Sequence, residues 1–168
     1  MRRVSILAVL ALLALIAVPI ADAAVSKPSM TVEGNVQVVF AADESLTGLF
    51  RFEIRTTETG KVEFGYYQTR TLTGWWAGGQ SQATVETIKF LTATNGGRSA
   101  EFTGEECGPV DVANPASEWA CAPYMVRVTD NAGKGVPDVL CGGPVGGDCP
   151  FAFSVTGGDI RIFSRQQQ

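Results

Sequence analysis

The chain has 168 residues, 45% hydrophobic and 18% charged, with 19 Gly and 8 Pro, a turn-rich composition too apolar for a disordered polymer. It contains no His, which excludes Ser-His-Asp and Cys-His catalysis, His-ligated zinc and histidine pH switching. A net charge of −4 leaves no cationic field to gather phosphates, so no nucleic acid partner is expected.

Arg2 and Arg3 precede an apolar run over residues 6–20, and Ala21-Asp22-Ala23 follows as a small-x-small cleavage site. Together these are the parts of a secretory signal peptide. The run is shorter than the roughly 20 apolar residues a span needs, and Pro19 interrupts it. The expected organisation is a signal peptide over 1–23 and one secreted all-β domain over 24–168. No later segment is apolar enough to span a bilayer, so the product is expected to be extracellular or periplasmic.

Beyond residue 30 the dominant signal is alternation with period two. Phe50, Phe52 and Ile54 share one face, opposite Arg51, Glu53 and Arg55. Val62, Phe64 and Tyr66 alternate with Lys61, Glu63 and Gly65, Tyr124, Val126 and Val128 with Met125, Arg127 and Thr129, and Ile160 and Ile162 with Asp159 and Arg161. This is the pattern of half-buried antiparallel strands. Further strands are expected at about 31–40, 83–92, 99–104 and 151–156. Glu58-Thr59-Gly60, Asn95-Gly96-Gly97 and Thr156-Gly157-Gly158-Asp159 supply turns, because Gly and Asn tolerate positive φ. No segment carries a helical apolar stripe. The expected fold is a single antiparallel β-sandwich or flattened barrel of about eight strands in up-and-down order. A membrane barrel is disfavoured, since charged residues alternate with the aromatics.

Four features bear on chemistry. Trp75 and Trp76 lie in a Gly-rich loop near Tyr66 and Tyr67. With Tyr67 they form a candidate platform for the C–H faces of a sugar, against the alternative that one Trp caps the core. Glu53, Glu63, Glu86 and Glu101 are the carboxylates to weigh for glycoside hydrolysis, which needs two facing each other across a cleft. On alternation they read instead as a solvated outer face, balanced by Arg51, Arg55 and Lys61, and Glu105-Glu106 reads as a loop pair.

The four cysteines, Cys107, Cys121, Cys141 and Cys149, read as two disulfides in an exported chain. Three connectivities are open. Cys107–Cys121 and Cys141–Cys149 are favoured because each pair brackets a Gly/Pro-rich excursion. A four-cysteine metal site lacks the usual knuckles. The segment from Asp130 to Asp138 partly fits a calcium loop, with Asp130, Gly135 and Asp138 in frame and Ala132 and Lys134 out of it. The competing reading is a turn between two strands, with Asp130 accepting from nearby amides. Calcium through Asp130 and Asp138 is thus the one cofactor considered, and none is required.

The order of motifs resembles a family of small secreted bacterial all-β domains of unassigned function. The motifs are Phe50-x-Phe52-x-Ile54, Gly60-x-Val62-x-Phe64, Ala100-x-Phe102-x-Gly104 and Tyr124-x-Val126-x-Val128-x-Asp130-Asn131-x-Gly133. Gly135-x-Pro137-Asp138 and Val155-x-Gly157-Gly158-x-Ile160-x-Ile162 complete the series. Residues 74–80, 107–121 and 141–149 depart from it. The resemblance implies an extracellular β-domain and brings no catalytic residues. The expectation is therefore a secreted, non-catalytic domain, not an enzyme, acting as a structural or protein-interaction component of the cell envelope or extracellular space. The alternative is a glycan-binding module using the Trp75/Trp76 loop; in either case the partner is an extracellular protein or glycan.

Overall fold

The computed structural model describes residues 28–74, 77–93, 96–111, 114, 116–147 and 149–165. The segment read as a signal peptide lies outside them, as do Trp75, Trp76 and Asn95. The described residues form nine strands and no helix: β1 (Met30–Phe40), β2 (Asp43–Thr56), β3 (Val62–Thr71), β4 (Gln80–Thr92), β5 (Arg98–Pro109), β6 (Trp119–Asp130), β7 (Val139–Gly143), β8 (Phe151–Gly157) and β9 (Ile160–Ser164). Each of β1 to β7 pairs antiparallel with the next, and β8 returns to β1. Eight strands thus close into a barrel, which removes the exposed edges an open sheet would have.

Closure depends on how β1 is shared. Its second half, from Gln37 to Phe40, pairs with β8, and its first half, from Met30 to Gly34, pairs with β9. The chain passes from β8 to β9 through Gly158, whose φ of 81° suits only glycine without strain. A Cβ at Gly158 would also collide with the Asn35 carbonyl.

Among the described residues, no strand pairs with the far edge of β9. Its backbone groups are taken up by side chains from the far side of the barrel. The Ile160 amide donates to Asp138 Oδ2 at 2.9 Å and the Ile162 amide to Asp130 Oδ2 at 3.0 Å. Arg98 Nη1 donates to the Ile162 carbonyl at 2.6 Å. Three side chains therefore stand in for a missing strand, and their charge strengthens each bond. Ile160 and Ile162 are thereby held in the core.

Alternation places Val32, Val36 and Val38, Phe52 and Ile54, Ala100 and Phe102, Val126 and Val128, and Leu140 inside the ring, each at most 2% exposed. Two cross-strand pairs set an aromatic ring against a glycine, Phe52 with Gly34 and Tyr124 with Gly104. A Cβ at Gly34 would fall on the Phe52 ring, and one at Gly104 on the Thr84 carbonyl oxygen. The glycines give the rings room to lie across the barrel. A bulge between Val85 and Thr87 reverses the parity of β4, so Ser81, Ala83 and Val85 share the inner face with Ile88.

The outer face carries ion pairs: Arg55–Glu53, Arg127–Glu101, Arg161–Glu33 and, at 3.9 Å, Arg165–Glu63. A barrel in lipid presents an apolar band there.

The sequence reading is corrected in four places. In β3 the inward face runs through Gly65, Tyr67 and Thr69, so Phe64, 46% exposed, and Tyr66 lie on the outer face and not inward, because the register shifts where Val62 meets Thr56. β7 was not anticipated, because Val139–Gly143 is short and ends in two glycines. β5 and β6 continue through Cys107 and Cys121, which face each other directly across the ladder. Glu105-Glu106 accordingly lies in β5 and is not a loop pair. The disulfides are Cys107–Cys121 and Cys141–Cys149, the favoured connectivity, and they fit an oxidising compartment.

Asp138 also accepts from the Asn131 amide at 2.7 Å, so Asp138→Ala leaves two backbone donors without partners. It should cost about 2–4 kcal/mol of stability in urea unfolding and speed hydrogen exchange at Ile160. Asp138→Asn, which keeps one acceptor, should fall between.

Candidate functional site: a cup at one end of the barrel

The ring is filled unevenly. At the end of the β2–β3, β4–β5 and β6–β7 turns, the inward residues are Val32, Ile54, Ala100, Val128 and Ile162, none more than 2% exposed. At the opposite end five inward positions are small, Gly48, Gly108, Ala120, Ala122 and Gly142, among larger ones such as Phe40 and Phe153. Small side chains cannot meet across a ring of this width, and a cavity of about 750 Å³ opens there to solvent. That volume lies within the range of small-molecule sites.

Aromatic rings form the floor. Tyr67 and Tyr124 stack at 5.7 Å and 14°, Phe50 meets Tyr67 at 5.8 Å, and Phe153 meets Phe50 at 5.2 Å. Phe102 lies beneath Tyr67 at 6.1 Å. Phe151, at the rim, is 53% exposed.

One wall is polar. Thr69 Oγ1 and Ser81 Oγ lie 2.7 Å apart, and Ser81 Oγ donates to Glu106 Oε1. With the Ser81 proton committed to the carboxylate, Thr69 is the donor to Ser81. Glu106 faces inward because it continues the row Ala100, Phe102, Gly104 along β5. The Tyr124 hydroxyl is buried and has no hydrogen-bond partner among the described residues.

The electrostatics agree with this placement. Burial pushes the Tyr67 hydroxyl well above the ordinary tyrosine range, with further increases from Glu106 and Tyr124. Burial likewise raises Tyr124, followed by Glu106 and Glu86.

The residues singled out from sequence are distributed as follows. Tyr67 lies in the floor of the cup. Trp75 and Trp76 belong to the β3–β4 connection and lie outside the described residues, but Thr71 and Gly79, which flank that connection, border the cup. Glu53, Glu63 and Glu101 are on the outer face in ion pairs, and Glu86 sits at the β4 bulge. Among the described residues these four do not form a pair across a cleft.

Asp130 and Asp138 are at the opposite end of the barrel from the cup. Asp130 Oδ1 accepts from the Ala132 amide at 2.9 Å, and the remaining oxygens of the two carboxylates hold Asn131 and β9 as described. Each of the four oxygens of the two carboxylates thus accepts one backbone amide. Asp159 lies beside them. Its carboxyl is raised by loss of solvent, then by Asp138 and Asp130 and a hydrogen bond with Asp138, against a lowering by Arg161. Glu105, Cys107 and Cys121 cluster within 4.8 Å, but both sulfurs are in the disulfide and offer no thiolate.

No family model, curated protein or solved structure matches this chain. The reading of the cup therefore stands on its own geometry.

Sequence reasoning missed Glu106 and Ser81, and saw Tyr124 only as a strand residue. Extending the β5 alternation by two residues would have turned Glu106 inward.

Two outcomes follow from the floor. Tyr124→Phe removes an unsatisfied hydroxyl without changing the ring, so it should raise stability by about 1 kcal/mol in chemical denaturation at neutral pH. Both tyrosine hydroxyls are raised in the folded state. Their contribution to stability is complete below the unfolded tyrosine value of about 10 and is lost as pH rises from there through the raised folded values. Alkaline titration should show late tyrosinate absorbance coinciding with unfolding, and Tyr124→Phe should make the alkaline loss shallower.

Proposed function

We propose that the chain is a non-catalytic binding domain of an exported, oxidising setting, and that its cup receives a small, largely apolar molecule. The observation that carries this reading is the Tyr124 hydroxyl, buried without a hydrogen-bond partner among the described residues, in the aromatic floor of an open, largely apolar cavity. A buried polar group left unpaired costs roughly 1–3 kcal/mol, which a ligand bearing a complementary atom recovers on binding. The export signal read from residues 1–23 and the two disulfides support the setting.

The glycan reading of Trp75 and Trp76 concerns the same end of the barrel, because Thr71 and Gly79 border the cup on either side of that connection. A structural role is the second reading. It is favoured by a row across β3, β2, β1 and β9, Phe64–Arg55–Thr31–Phe163, whose two phenylalanines are 46% and 36% exposed on the outer face.

The test uses N-phenyl-1-naphthylamine, a neutral dye that brightens on leaving water. It should bind with a Kd on the order of 10 µM. Ala122→Trp places an indole in the mouth and should weaken uptake at least about tenfold with an unchanged circular dichroism spectrum. No uptake, or uptake indifferent to that substitution, would overturn the cup reading and leave the outer-face one.

A further inference from the structure

Among the charged residues that border the cup, alternation turns Glu106 inward. Arg70 lies on the opposite parity of β3, between the inward Thr69 and Thr71, so it borders the cup from its rim and also lines a separate outer groove beside Arg51 and Gln68. Glu106 makes no ion pair among the described residues, whose four ion pairs all involve other carboxylates. Ser81, itself supplied by Thr69, satisfies Oε1, while Oε2 has no hydrogen bond among the described residues. The cup thus holds a half-buried carboxylate, fixed in position by a hydroxyl relay, beside two stacked tyrosine faces.

We propose, building on the cup as a ligand site, that it selects a protonated amine carried on an aromatic or apolar body. The ammonium meets the free oxygen of Glu106, and its apolar body lies against the aromatic floor beside it. Both contacts favour a cation: the carboxylate by charge and hydrogen bonding, and the ring faces through their quadrupoles. Removing a carboxylate from water without a counter-charge is unfavourable, and a cationic ligand supplies the missing partner. The field of Glu106 reaches the floor, since it contributes to raising both tyrosine hydroxyls. An anion would meet that same field as repulsion.

The test compares three probes that share one ring system: 2-naphthylmethylammonium, 2-naphthylmethanol and 2-naphthoate. Binding is measured by calorimetry at neutral pH with the full folded domain. The ammonium should bind about tenfold more tightly than the alcohol, and the carboxylate most weakly. Glu106→Gln keeps an acceptor for Ser81 and should bring the ammonium down to the affinity of the alcohol, leaving the alcohol unchanged. In the unaltered protein, added salt should weaken the ammonium and not the alcohol, a readout independent of whether the variant folds.

Tightest binding by the naphthoate or the alcohol would overturn the amine assignment while leaving the cup intact. So would an ammonium preference that survives Glu106→Gln, or one that salt does not touch. Failure of all three probes together with N-phenyl-1-naphthylamine would instead remove the cup itself.

Discussion

The arrangement depends on β9, a five-residue strand that has a partner on one side only. β8 leaves β1 halfway along, and the lower half of the ring would otherwise be an open seam. β9 fills it, and its other edge pairs with no strand among the described residues. Asp130, Asp138 and Arg98 reach across to the amides and carbonyl that a strand would have met. Because they hold β9 against the barrel, Ile160 and Ile162 can complete a solid lower core. The Asp130–Asp138 segment thus works as a structural clamp, its carboxylates accepting from backbone donors.

A solid lower half allows a hollow upper half. Apolar burial contributes about 25 cal/mol per Å², and in this domain the return comes from the rows of Val, Ile and Phe below the tyrosine pair. Above that pair many inward positions carry Gly, Ala, Thr and Ser. They contribute little burial and leave volume. The two disulfides lie at the same end, one joining β5 to β6 and the other spanning the β7–β8 connection. There they limit the freedom of loops that the sparse inner layer cannot anchor, each by roughly 2–4 kcal/mol on the chain-entropy account.

Much of this was legible in the sequence, because burial on one face imposes period two, and period two survives in Phe50-Phe52-Ile54 and Tyr124-Val126-Val128. The strands so marked are where expected. What was illegible has a physical cause in each case. Gly and Cys in β5 and β6 carry little hydropathy contrast, so the strands seemed to stop at Gly104 and to begin at Tyr124. The β4 bulge at Glu86 breaks the alternation that a pattern search follows. Ring closure is absent from local pattern altogether, since it rests on β1 serving β8 and β9 in succession.

The site shows the same division. Tyr67 was noticed as an aromatic near a Trp pair, whereas its role in the floor comes from stacking on Tyr124, which lies 57 positions away in the chain. Gly104 makes that stacking possible by leaving room for the Tyr124 ring where any Cβ would strike the Thr84 carbonyl. The requirement passes from one strand to the next: the Thr84 carbonyl of β4 lies against Gly104, Gly104 admits Tyr124, and Tyr124 stacks on Tyr67. Glu106 then follows on the same inner row of β5, one step nearer the mouth than Gly104. Its inward position is a consequence of the alternation that buries Phe102, so a carboxylate in the cup is as firmly specified by the fold as the core beneath it.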